Sequence, residues 1–319
     1  MSLFLKRFRP VRKNNFCMSR IVVFLIFTTV LSSVFYPVDA KRKKSEQIVI
    51  TPEEAFLDDN FDEKCLKEWN SGREFVCVTR ELPVLLGINM LSSPSDDFSG
   101  KIFTYRMLEE EKGWSGSETA IVFECEGRKY KYKVKKSAGE MLAGCFRPLL
   151  PELVPLDYVA KADSLLRGRI LYIRSANWSD SSGVDIKGRK YVPVTVNGVE
   201  PGDKVLPLKI VFTDSRGVTA SVCTTMYRDA ISSQYTSFDK LFSFTDIRER
   251  YPDINDDFWE AVTRVEVVAG MTKNEAMISV GYPDNVRKIP DNAGLREYWM
   301  YNNGTYLVFQ DGLLVEYRL

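Results

Sequence analysis

The chain has 319 residues, with 44 Lys+Arg, 43 Asp+Glu, 45% hydrophobic and 12% aromatic residues, six Cys and no His. A net charge of +1 lacks the cation excess that nucleic-acid binding needs, and the apolar content excludes a disordered chain. Without imidazole there is no Ser-His-Asp triad, no Cys-His pair and no His-ligated metal, and no small-molecule cofactor is expected.

Residues 1–40 read as a secretory signal peptide. Lys6, Arg7, Arg9, Arg12, Lys13 and Arg20 precede an uncharged run over 21–36, and Val38-Asp39-Ala40 has the small-x-small exit of a cleavage site. The apolar run is shorter than the roughly 20 residues that a membrane-spanning helix needs. Met18 is an alternative start. Cys17 lies before the run, so no lipid anchor is expected. Removing those six cations and one acid takes the 44:43 balance to 38:42, net −4. The cluster Lys41-Arg42-Lys43-Lys44 reads as a solvated tail, with peripheral contact to an anionic membrane as the alternative. It opens a polar lead-in over 41–74.

The remaining Cys65, Cys77, Cys125, Cys145 and Cys223 are odd in number, so at least one thiol is unpaired. The short-range disulfides Cys65–Cys77 and Cys125–Cys145 are available, and connectivity stays open. No C-x-x-C motif is present.

From Phe75 to Thr224 the text is strand-like. Ile102-Phe103-Thr104-Tyr105, Ala120-Ile121-Val122-Phe123, Tyr130-Lys131-Tyr132-Lys133-Val134, Ile170-Leu171-Tyr172-Ile173, Val192-Pro193-Val194-Thr195-Val196 and Leu208-Lys209-Ile210-Val211-Phe212 are β-branched and aromatic runs between turn residues. An internal duplication is legible as well. Gly100 to Arg106 lines up with Gly168 to Arg174, Trp114 with Trp178, and Gly127-Arg128-Lys129-Tyr130 with Gly188-Arg189-Lys190-Tyr191. The expectation is two small antiparallel β barrels of loosely SH3-like type, over 75–147 and 148–236. Trp114, Trp178, Tyr172 and Tyr191 are their candidate interaction residues. Residues 141–166 read as a connection, because Pro148, Pro151 and Pro155 break any long helix. A second connector over 237–254 carries Phe238, Phe242 and Phe244, expected to pack against a neighbouring domain.

Residues 255–319 carry the clearest signals. A helix over 255–264 presents Phe258, Trp259 and Val262 on one stripe. After Gly270, Thr272-Lys273-Asn274-Glu275 forms a capping box that starts a second helix, which Gly281 ends and Pro283 prevents from resuming. A three-stranded meander follows, with Trp299 and Tyr301 on its first strand, Phe309 on its second, and the Asp311-Gly312 turn before its third. Gly270, Thr272, Glu275, Gly281, Pro283, Trp299, Tyr301, Phe309 and Gly312 are thus assigned architectural roles.

These same segments resemble the SmpA/OmlA family, which includes BamE-like subunits of the outer-membrane β-barrel assembly machinery. Gly270-Met271-Thr272-Lys273-Asn274-Glu275 is similar to the family's helix start, Val280-Gly281-Tyr282-Pro283 to its helix end, Trp299-Met300-Tyr301 to its first strand, and Phe309-Gln310-Asp311-Gly312 to its hairpin. The resemblance covers about a fifth of the chain. It implies two helices on an antiparallel sheet, in a bacterial cell envelope, working by protein or lipid contact. Family members are usually lipoproteins and lack the β-rich segment that stands in front here.

The expected fold class is therefore α+β and mostly β: duplicated small barrels followed by a BamE-like module of two helices and three strands. Ser237-Phe238-Asp239-Lys240 spells S-x-x-K without the partner motifs of penicillin-recognising enzymes. Asp253 to Asp257 imitates a calcium loop but has Phe258 where Gly is needed, so it reads as a helix cap. The functional expectation is an exported, non-catalytic protein of the periplasm or cell envelope whose partners are envelope proteins or cell-wall components. The rivals are a wall-peptide or glycan binder stacking ligand on Trp114 and Trp178, and a two-carboxylate hydrolase.

Overall fold

A computed structural model of the chain describes residues 50–81, 86, 97–113, 116–228, 236–291 and 294–319. The signal over 1–40, the lead-in as far as residue 49 and Trp114 lie outside the described residues. No helix among those described is long and apolar enough to cross a membrane; the longest has 11 residues.

The described chain opens on α1 (Pro52–Asn60). Thr51 caps it by accepting from the Glu54 amide, while the Glu54 carboxylate reaches back to the Thr51 amide. From there the architecture is three open antiparallel sheets joined by short helices. The first sheet has the order β4-β3-β2-β1-β5, from β1 (Glu74–Cys77), β2 (Ile102–Gly113), β3 (Gly116–Cys125), β4 (Arg128–Val134) and β5 (Leu153–Pro155). Its inner face buries Phe75, Phe103, Phe123 and Met141, the last from α2 (Ala138–Ala143). Its other face is laced by cross-strand ion pairs, with Lys131 reaching Glu109 and Glu111 and Lys133 reaching Glu111.

The second sheet has the order β12-β6-β9-β10-β11-β7-β8. Its strands are β6 (Ile170–Ile173), β7 (Asn177–Ser179), β8 (Asp185–Lys187), β9 (Val192–Pro201), β10 (Leu208–Asp214), β11 (Thr219–Thr224) and β12 (Phe242–Ser243). All six strand-like runs of the sequence lie on strands. The 141–166 connection is corrected, because it contains α3 (Leu156–Leu166). Its three prolines all precede the helix, and Pro155 serves as the N-cap, where proline costs no hydrogen bond. Tyr158, Val159, Ala162 and Leu166 then form the stripe that closes the core of this sheet together with Leu57 and Phe61. Phe238, from α4 (Phe238–Leu241), and Phe242 are wholly buried in the same core, so the start of the second connector packs into the core of this sheet.

The barrels are corrected too: none of the described sheets closes. The first sequence match does mark a shared local device. Gly100 and Gly168 both have φ near +79°, and each donates to a neighbouring strand carbonyl, Cys77 and Val196 respectively. The likeness stops there. β2 runs 12 residues in a hairpin with β3, whereas β6 has four residues and pairs with β9 and β12. Gly127 sits at a hairpin turn with φ +76°, whereas Gly188 has no positive φ and lies beneath the Trp178 ring.

The third sheet has the order β13-β14-β15-β16, from β13 (Asn285–Asp291), β14 (Gly294–Met300), β15 (Tyr306–Gln310) and β16 (Leu313–Arg318). One strand more is present than expected, because β13 carries Pro290 and four polar residues and does not read as a strand. It lies at a sheet edge, where proline is tolerated. The two helices are α5 (Asp256–Thr263), capped by Asn255, and α6 (Lys273–Val280), with the Thr272/Glu275 capping box formed. Gly281 ends α6 at φ +87°.

The third sheet and its helices are held to the second by residues 188–191. An added Cβ at Gly188 would meet the Trp178 ring at 2.1 Å, so only glycine lets the chain pass under that indole. Arg189 then binds Glu260 and Thr263 of α5. Lys190 Nζ donates to the Ile278 and Ser279 carbonyls at the end of α6, at 2.6 and 2.5 Å, and Tyr191 stacks on Trp259 at 5.8 Å.

The disulfide expectation is corrected as well. Cys65 pairs with Cys145, while Cys77 and Cys125 are buried free thiols. Pairing follows the fold here: Leu66 donates to the Phe146 carbonyl, which draws the two distant loops together. Replacing both half-cystines by Ser should lower stability by about 2–4 kcal/mol in chemical denaturation, whereas Cys77→Ser should leave the disulfide intact in a thiol titration. Burial pushes the Lys190 ammonium down to about 8. Between that value and its ordinary 10.5 the unfolded chain holds a proton that the folded chain has lost, so this group's contribution to stability rises with pH. Relative to Lys190→Met, the native chain should gain roughly 1–3 kcal/mol as pH rises from about 8 to 10, read from denaturation midpoints.

Candidate interaction face

The sequence-predicted interaction residues do not come together as a ligand surface. Trp178 is 1% exposed; its ring meets Phe212 edge-to-face at 5.1 Å and its indole N–H donates to the Ser175 carbonyl at 2.8 Å. This is a core tryptophan with its one donor satisfied, not a stacking platform. Tyr191 is occupied with Trp259, and Tyr172 is a half-buried residue of β6. The S-x-x-K serine is buried as well, and its hydroxyl donates to Asp239 at 2.5 Å. Lys240 pairs with the same Asp239 at 2.7 Å, so its ammonium is engaged with a carboxylate, and its backbone amide donates to the Ser237 carbonyl.

Two concavities stand out. One, of about 240 Å³, lies between the first two sheets and is rimmed by Arg147 and Lys204. Its polar groups are largely spent on one another. Lys64 and Arg73 both bind Asp157, and the Tyr158 hydroxyl accepts from the Met226 amide at 2.7 Å. The other, of about 630 Å³, lies on the face of the third sheet opposite its two helices.

That face follows from strand register. Val286, Trp299, Leu307 and Tyr317 form one row across the four strands, and Lys288, Glu297, Phe309 and Leu314 another. These rows look toward the helices. Trp299 and Phe309 pack at 4.6 Å in their core, and Glu297 is tied to Lys273 of α6 at 2.7 Å. The Lys273 hydrogen bond holds the Glu297 carboxyl below the usual range. The alternate rows look the other way: Arg287, Tyr298, Val308 and Glu316, then Asn285, Met300, Tyr306 and Arg318. Successive residues of a strand alternate faces, so one buried set obliges an opposite set.

Tyr301, expected on a strand, lies just past β14; it closes the concavity at one end and donates to the Gly281 carbonyl at 3.0 Å at the end of α6, and burial pushes its phenol up to about 12. Asp311 and Gly312 both take positive φ at the hairpin turn. On the open face Tyr306 donates to Glu316 at 3.0 Å, which fixes its ring and raises its pKa. Met300 is 40% exposed, and Tyr298 and Tyr306 are half-buried. Between them Val308 is buried on the same face, at 2% exposure.

Sequence reasoning missed the face because it counted three strands and gave the sheet aromatics it named, Trp299, Tyr301 and Phe309, architectural roles. The signal available was the alternation Glu297-Tyr298-Trp299-Met300, whose even members had to face away from Trp299. No family model, no curated protein and no solved structure matches this chain.

Placing Trp178 in the core has a direct consequence. Trp178→Ala should cost about 3–5 kcal/mol of stability in chemical denaturation, through the cavity it opens beneath Phe212 and Gly188.

Proposed function

We propose that the chain is an exported, non-catalytic envelope protein that docks a protein partner on the open face of its carboxy-terminal sheet. One observation carries the reading: a concave sheet face of about 630 Å³ lined by Tyr298, Tyr306, Met300 and Ile289 beside Arg287. Tyr, Met and Arg are the residue types enriched at the centres of protein interfaces, where large rings and a delocalised cation lose little entropy on contact. The SmpA/OmlA-like motifs and the amino-terminal signal support the same reading and would place it in the periplasm or at the outer membrane.

The rival readings draw less support. A glycan binder stacking on Trp178 would need a ring that is 99% covered to become free. A two-carboxylate hydrolase needs one acid held above its ordinary range. Among the described residues the displaced carboxylates, including Asp157, Asp239 and Glu297, are displaced downward, by hydrogen bonds and cations that outweigh burial.

Tyr298→Ala and Arg287→Glu should each weaken capture of the partner from envelope extracts by about tenfold or more while leaving the thermal midpoint unchanged. A pull-down in which the native chain recovers nothing above background, or in which both variants recover as much as it does, overturns the reading. Cosedimentation of the native chain with purified peptidoglycan would favour the glycan reading instead.

A further inference from the structure

Three open sheets present six edges, and an unguarded edge is a template for another strand. Five of the six are guarded. β4 carries Lys129, Lys131 and Lys133; β5 has three residues and ends in Pro155; β8 and β12 have three and two residues; β13 carries Lys288 and Pro290. β16 is the exception. It has six residues with neither Pro nor Lys, and Val315, Tyr317 and the following Leu319 are 51%, 41% and 56% exposed. Its first part is already engaged, since the Leu314 amide donates to the Met271 carbonyl and its carbonyl accepts from Gly270, both at 2.8 Å. Beyond Leu314, no described residue outside β15 pairs with it.

We infer that β16 pairs antiparallel, edge to edge, with β16 of a second copy of this chain, with the two-fold axis at Tyr317. The sequence around that residue is self-complementary. Centring on Tyr317 sets Glu316 opposite Arg318 of the second copy, twice, and Val315 opposite its Leu319. Residues directly opposite in an antiparallel pair share a face, and Glu316 and Arg318 do share one: their partners Val308 and Tyr306 both lie on the open side. The neighbouring registers fail. An axis at Glu316 sets two carboxylates face to face, and one at Arg318 sets two guanidinium groups together. An unrelated strand would be held by backbone bonds alone, whereas a second copy adds two ion pairs and a central tyrosine pair. The pairing joins two open faces into one continuous eight-stranded surface, but it stands on the edge alone and does not depend on what that face binds.

Charge reversal tests it. The full chain in mild detergent is followed by sedimentation equilibrium alongside Glu316→Arg and Arg318→Glu. Each reversal alone sets like charges opposite and should raise the dimer dissociation constant by about tenfold or more. An equimolar mixture of the two restores opposite charges at both places and should regain the native value. So should the double variant Glu316→Arg/Arg318→Glu, which keeps both charges and guards against a misfolded single variant. A native chain that sediments as a monomer throughout, single reversals that change nothing, or a mixture and double variant that stay as weak as the singles each overturn the inference.

Discussion

The position of the carboxy-terminal module depends on one close approach, the Trp178 ring lying against the backbone of Gly188. With the indole seated in the core of the second sheet, the next three residues have nowhere to go but outward. Arg189, Lys190 and Tyr191 then meet the two helices of the third sheet as an ion pair, an end-of-helix cap and a ring stack. The three contacts differ in kind and share an origin. A buried ammonium is costly unless its protons are accepted, and the carbonyls at the end of α6 supply acceptors at the negative end of the helix dipole.

This anchoring leaves the third sheet with one face committed and one face free. The helices take the rows of Trp299 and Phe309, and the middle domain grips the helices rather than the sheet. A mixed aromatic and cationic surface is therefore left facing outward, next to an edge strand that has neither Lys nor Pro. Both features underlie the associations proposed above. Polar groups elsewhere are mostly paired with one another, as at Asp157 with Lys64 and Arg73, and at Ser237 with Asp239.

Much of the local structure was legible in the residues. The α6 capping box, the glycine that ends that helix, the Asp311-Gly312 turn and the six β-rich runs all sit where pattern places them. The misreadings have physical causes of one sort. Pro148, Pro151 and Pro155 look like helix breakers until it is seen that they all precede α3. β13 looks like a loop because an edge strand needs no hydrogen-bond donor on its outer side, so Pro290 is no obstacle. The aligned glycines at 100 and 168 do share a turn, yet the strands that follow go to different partners, because a turn does not specify what its strand pairs with.

What the sequence by itself determined is everything decided within a few residues: caps, turns, strand alternation, and the lack of imidazole chemistry. These depend on backbone dihedrals and near-neighbour hydrogen bonds, which local composition sets. Tertiary structure alone decided that Cys65 meets Cys145 across 80 residues, that Trp178 is core and not surface, and that Tyr298 and Tyr306 line a concave face. Burial and pairing are set by which distant segments share a volume. A tryptophan in a turn-rich stretch carries no mark of whether another sheet will cover it.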